Sequence, residues 1–227
     1  MKKTRTRWLG VAASNVVLLA TACSSARVPT DTSPQPSSST AELEALYHAR
    51  ADSARMRFTP REAQFMAGMI HHHAQAIVMS RLAPKNGASS SIQTLSARII
   101  NAQQDEIALM QQWLRDRRQP VPEVHITEND VMVHGADHAA HMPGMLTPEQ
   151  LRQLQAARGV EFDRLFLTFM IQHHQGAVTM VNELFDGGGG QDEAAFKLAS
   201  DVQADQTSEI RRMDLMLKAL PARDDAP

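Results

Sequence analysis

The chain has 227 residues, 43% hydrophobic and 21% charged, which is enough apolar mass for the core of one large or two small domains. Aromatic residues at 4% argue against a β-sandwich, and a formal charge of −2 argues against a nucleic-acid binder. A single cysteine excludes a disulfide scaffold or a cysteine zinc finger, whereas methionine (13) and histidine (10) are abundant.

Residues 1–22 have the pattern of a secretory signal. Lys2, Lys3, Arg5 and Arg7 precede an apolar run from Leu9 to Ala20, shorter than the ~20 residues a membrane-spanning helix needs. The run leads into Leu19-Ala20-Thr21-Ala22-Cys23, which resembles a bacterial lipobox, with Ala20 standing where leucine is usual. The expectation is cleavage before Cys23 and lipidation of its thiol, giving an envelope protein that faces the periplasm in a Gram-negative host. A plain signal peptide cut nearby, with Cys23 left as a spare thiol, is the alternative. Loss of residues 1–22 leaves 19 basic against 25 acidic side chains, a net charge of −6. Residues 23–40 are rich in Ser, Pro and Thr and lack the apolar bulk to offset ordering entropy, so they read as a flexible tether.

Residues 41–220 read as one all-α domain, a four-helix bundle made from a duplicated helical hairpin, followed by a tail at 221–227. Leu43, Leu46, Tyr47 and Arg50 have helical spacing and predict a lead-in helix over 41–56. The segment Phe65–Met79 then aligns with Phe166–Met180 at an offset of 101, with Phe, Met-Ile, His-His, Ala and Met in register. Downstream, Gln103-x-x-Glu106-Ile107-x-x-Met110 aligns with Gln206-x-x-Glu209-Ile210-x-x-Met213 at an offset of 103. The first repeat spans about 59–118, the second about 147–220, and a connection covers 119–146. Thr59-Pro60-Arg61-Glu62 and Thr147-Pro148-Glu149-Gln150 are capping boxes, the second opening a short helix that breaks near Gly159. Pro84 to Gly87, Pro120 and Pro122, Gly187 to Gly190, and Pro221 end the four main helices, and no stretch shows strand alternation.

On a helical wheel the apolar face of the first helix carries His72 and His73, with His71 on the opposite, surface side. The repeat places His173 and His174 likewise. In the partner helices Glu106 and Glu209 interrupt apolar stripes, and Asp205 shares the second stripe. A carboxylate there is costly unless it is paired, hydrogen-bonded or bound to a metal. Four imidazoles and two carboxylates directed into one bundle suit a metal site, although a His–Glu pair can also satisfy itself by hydrogen bonding. Met69, Met79, Met110, Met170, Met180 and Met213 have the spacing of adaptable core filler as well as of ligands.

The connection tips that balance toward a metal. Six of the fourteen residues from Met132 to Met145 are His or Met, including His138, His141, Met142 and Met145, with little apolar bulk beside them. Imidazole with thioether suits copper, above all Cu(I), over hard cations. Methionine also survives outside the cytoplasm, where free cysteines oxidise. A flexible loop with incidental histidines is the alternative.

The duplicated Met-Ile-x-His-His at 69–73 and 170–174, the Gln-x-x-Glu-Ile-x-x-Met pair, Met142-Pro-Gly-Met145 and Phe162-Asp163-Arg164-x-Phe166 together resemble the domain-of-unknown-function 305 family over about residues 56–220. The resemblance implies a ferritin-like four-helix bundle, usually exported, in a family that includes copper-binding proteins implicated in copper resistance. It also implies that His72, His73, His173 and His174, with Met69, Met79, Met170 and Met180 near them and Met142 and Met145 from the connection, carry the metal. The chain has none of the Glu-x-x-His pairs of di-iron bundles, which argues against ferroxidase or oxygenase chemistry. The expectation is therefore a membrane-anchored copper-binding protein for sequestration, tolerance or delivery to a partner protein. Copper is favoured over zinc or iron, and no nucleic acid is involved. The alternatives are a metal-dependent oxidoreductase of ferritin-like type and an interaction module without metal.

Overall fold

The computed structural model describes residues 39–126, 131–134 and 142–222. Six helices run in chain order: α1 (Thr40–Arg55), α2 (Pro60–Arg81), α3 (Ser90–Asp116), α4 (Pro148–Ala156), α5 (Gly159–Asp186) and α6 (Glu193–Ala219). The helices α2 and α3 form one hairpin and α5 and α6 the other, and the two hairpins meet chiefly along α2 and α5. The lead-in helix α1 leaves Leu43, Leu46 and Tyr47 exposed. Among the described residues no helix is long and apolar enough to cross a membrane.

One expectation needs correction. Between α3 and α4 the chain forms β1 (Glu123–Ile126) and β2 (Val131–His134), paired antiparallel with Glu123 opposite His134 and both strands against α2. Each strand has only four residues. That is too short for a visible alternation, and the pairing between them leaves no mark in either strand alone.

The helix starts form where their first N–H groups find acceptors. Thr59 and Thr147 make the expected capping boxes with Glu62 and Gln150. The duplication extends to a second device that the motifs did not reveal. Glu62 on α2 is fully buried and accepts the Asp192 N–H at the start of α6 at 2.9 Å. Its counterpart Asp163 on α5 is also buried and accepts the Ser89 N–H at the start of α3 at 3.1 Å. Each hairpin thus caps a helix of the other. Asp192 is the denser of the two junctions: it caps α6 through the Ala195 N–H and also takes the Trp113 indole N–H and the Arg117 guanidinium. Burial pushes its carboxyl up, and the donors from Arg117, Trp113 and Ala195 reverse this, so that its pKa falls below the usual aspartate value.

The apolar interior divides into two clusters, and the repeat exchanges them. Met69, Met110, Met180, Ala177, Leu198 and Val202 lie in one. Their repeat partners Met170, Met213, Met79, Ala76, Leu95 and Ile99 lie in the other. The pseudo-twofold symmetry implicit in the sequence offsets is therefore a property of the packed core.

Candidate metal centre

The histidine pairs sit midway along α2 and α5, where the two hairpins meet. All four rings are fully buried. The rings of His72 and His173 face each other with centroids 3.8 Å apart and planes tilted by 40°. His73 donates from Nε2 to Glu106 Oε2 at 2.7 Å, and His174 does the same to Glu209 Oε2 at 2.8 Å. Each pair stays within its own hairpin, so the duplication repeats it. The carboxylates lie toward the rim rather than sealed in the core, with side-chain exposures of 13% for Glu106 and 21% for Glu209.

His72 has a different partner. Its Nε2–H donates to the Pro143 carbonyl at 3.0 Å. That carbonyl belongs to a strap, residues 142–146, which lies across α2 and α5. Gln75 clamps the strap at Leu146, donating to its carbonyl at 3.1 Å and accepting its N–H at 2.7 Å. The strap can sit this close only because two residues lack side chains. A Cβ on Gly176 would fall 2.0 Å from the Pro143 oxygen, and one on Gly144, which has φ +77, would fall 2.6 Å from the Gln172 oxygen. A glycine in the interior of a helix costs roughly 1 kcal/mol against alanine, and the contact at Gly176 is its physical reason.

Burial, then the charges of neighbouring histidines, pushes the His72 imidazole down to about 3, against a weaker upward pull from its bond to Pro143. His173 is held well below its ordinary value by burial and by His72, His174 and His73, with a weak opposing contact from the His72 backbone. Both rings are therefore neutral near pH 7, the form that ligates metals. The bond to Pro143 fixes the proton of His72 on Nε2 and leaves a lone pair on Nδ1. Nδ1 of His72, His73 and His174 and both nitrogens of His173 are buried without a hydrogen-bond partner. So are the side-chain amide of Gln103 and the Gln206 carbonyl oxygen, at equivalent positions one turn from the two glutamates. Buried polar atoms are rarely left unpaired, and their concentration here marks this centre as the candidate site.

The sequence profile of the family described as "Domain of unknown function (DUF305)" matches residues 62–217. The chain belongs to the DUF305 family. A DUF305 fragment from Deinococcus radiodurans is 29% identical, with 72% of this chain and 99% of that one covered and a TM-score of 0.60. A DUF305 structure from Streptomyces coelicolor, at 24% identity, shares the fold with a TM-score of 0.60 over 74% of this chain and 96% of that one. CopM in its Cu(I)-bound form is 27% identical, with 69% of this chain and 95% of that one covered and a TM-score of 0.51. Curated protein sequences give no match.

Within this DUF305 fold the sequence candidates separate into groups. Met69, Met79, Met110, Met170 and Met213 are fully buried, and Met180 is nearly so. Met142 and Met145 are half-buried in the strap. His138, His141 and Cys23 lie outside the described residues. His71, read as a surface residue, is half-buried with its Nδ1 enclosed, and burial lowers its pKa. Asp205, placed in the buried stripe, is exposed. Partial desolvation, then the charges of Glu106, Glu209 and Asp201, pushes its carboxyl up, so these carboxylates gather on one flank of the histidines. Among the described residues no three His, Cys, Asp or Glu side chains converge tightly enough to hold an ion by themselves. The positioning groups that sequence reasoning missed are Gln75 and Gly144.

Proposed function

We propose that the protein binds a soft cation, Cu(I) foremost, through neutral imidazoles and methionine thioethers. As an exported, lipid-anchored protein it sequesters the ion or passes it to a partner. The observation that carries this reading is the set of buried imidazole nitrogens without partners, bedded in methionine-rich core. Their neighbours support it. Glu106, Glu209 and the Pro143 carbonyl take Nε2–H donors and orient the rings, the arrangement by which outer groups fix ligating histidines at metal sites. Zinc and iron sites built from His and carboxylate need several such groups converging, whereas thioether donors select Cu(I). CopM, similar in fold and sequence, has been solved with Cu(I), Cu(II) and silver.

When bound, the cation brings only its affinity for soft donors, and the protein supplies the rest. The helices hold the rings neutral and dry, the glutamates fix their orientation, and the strap covers one side. The carboxylates on the flank bias the approach toward cations. The His/Met-rich connection, with His138 and His141, serves as a capture segment ahead of the buried centre.

Competition against a Cu(I) chelator tests the reading. At least one Cu(I) per chain is expected, bound far more tightly than about 10 μM, with zinc and iron(II) much weaker. Binding no tighter than about 10 μM, or a preference for zinc, would contradict it.

A further inference from the structure

The hairpin of β1 and β2 has two unlike faces. Successive residues of a strand alternate between faces, and residues opposite each other across a strand pair share one. Val124 stands opposite Val133 and Ile126 opposite Val131, so these four hold one face. Val124 is half-buried and packs against the core cluster that contains Met69 and Met110, and both strands lie against α2. This is the face turned to the bundle. Glu123 stands opposite His134, and His125 opposite Met132, which places all four on the other face. Glu123, at its start, is exposed.

The apolar face has a structural reason, because a two-stranded hairpin is marginal alone and gains stability by packing on a helix. The composition of the other face has none. Histidine and methionine together are 23 of the 227 residues. They hold three of the four positions on this face and none of the four on the apolar one. Neither type is among those that strands favour.

The register also sets the spacing. His125 and Met132 are opposite, His125 and His134 diagonal, and Met132 and His134 alternate along one strand. Opposite positions lie about 5 Å apart and diagonal ones about 7–8 Å, and alternate positions on a strand are about 7 Å apart. Two imidazoles placed on a triangle of this size can reach one ion, with metal–nitrogen bonds of about 2 Å. Imidazole sites hold Cu(II) more tightly than other divalent first-row ions, and Cu(II) accepts water in its remaining positions. The position of Glu123, opposite His134, is where an outer carboxylate orients a ligating ring.

We infer that this face of the hairpin is a copper site in its own right, with His125 and His134 as ligands of Cu(II) and Met132 beside the ion. It goes beyond the soft-cation reading of the bundle and stands independently of it, since the two sites share no residue. The dry centre and the hairpin face suit different forms of the metal, Cu(I) within and Cu(II) outside.

Cu(II) titrated into the full chain, followed by electron paramagnetic resonance, provides the test. One equivalent is expected to bind more tightly than about 10 μM and to show splitting from two imidazole nitrogens. In the chain carrying 13C-methyl methionine, the paramagnetic ion is expected to broaden the Met132 methyl first, ahead of Met69, Met110, Met170 and Met213. Earliest broadening at Met142 or Met145 would place the ion on the following segment and overturn the inference. His125→Thr with His134→Thr keeps strand-favouring residues at both positions and is expected to weaken this equivalent at least tenfold. Unchanged affinity there overturns the inference, as does the absence of Cu(II) binding in the unaltered chain. If the double variant loses the hairpin itself, the methyl pattern of the unaltered chain decides alone. His173→Leu separates the two sites, because it should lower Cu(I) affinity and leave the Cu(II) equivalent in place. Loss of both in that variant puts Cu(II) in the bundle, which overturns the hairpin site and leaves the soft-cation reading standing.

Discussion

His173→Leu should weaken Cu(I) binding by about a hundredfold, or about 3 kcal/mol, while leaving the metal-free protein folded and at least as stable. The two halves of this expectation have separate causes. His173 is fully buried, and neither ring nitrogen has a well-formed hydrogen bond, so in the metal-free protein the ring carries a desolvation cost of about 1–3 kcal/mol that a weak contact with the His72 backbone only partly offsets. Leucine fills similar space without that cost. On the proposed reading the same lone pair serves as a ligand once metal is bound, and losing a ligand costs at least the ten- to hundredfold that losing an outer partner costs. A histidine with a purely structural role would behave in the opposite way, with stability lost and affinity untouched. Chelator competition and urea denaturation on the same preparation separate the two outcomes.

The second large effect is on pH. His72 is held near 3 and His173 well below its ordinary value, because burial penalises the charged ring. The unfolded chain takes up protons near pH 6.5 where the folded chain does not, so stability rises with pH through this range. It is full above about pH 6.5 and is lost as the pH falls from there toward 3. At pH 5 His72 alone should remove about 2 kcal/mol, and His173 acts in the same direction. Urea midpoints from pH 8 to pH 4.5 measure this, with the slope reduced in His173→Leu. Bound Cu(I) should move the loss to lower pH, because a coordinated imidazole resists protonation and the ion binds only the folded chain. A flat profile over this range would show that the rings are solvated.

Much of this was legible because the duplication repeated it. The wheel placed His72, His73, Glu106 and their counterparts together, and the structure brings each His–Glu pair within hydrogen-bond distance. The capping boxes at Thr59 and Thr147 fixed two helix starts from four-residue patterns alone. Features that depend on contacts far apart in sequence were not legible. The strap reaches the centre through the approach of Gly144 to Gly176, and the sequence shows only two glycines. Glu62 and Asp163 cap helices on the opposite hairpin, and each looked like part of a local motif. His71 stands on the polar side of its wheel, yet the fold encloses its Nδ1. A wheel knows one helix and not its neighbours. Asp205 has helical spacing for the interior, but a carboxylate at the edge of a stripe gains more from water than from the core, and it is exposed.

X-ray absorption at the copper edge of the Cu(I)-loaded protein tests the central claim most directly. Imidazole and thioether sharing one buried centre predict a first shell with both nitrogen and sulfur scatterers and a low coordination number. A shell of nitrogen and oxygen alone would contradict the account, because the methionines would then be packing and nothing more.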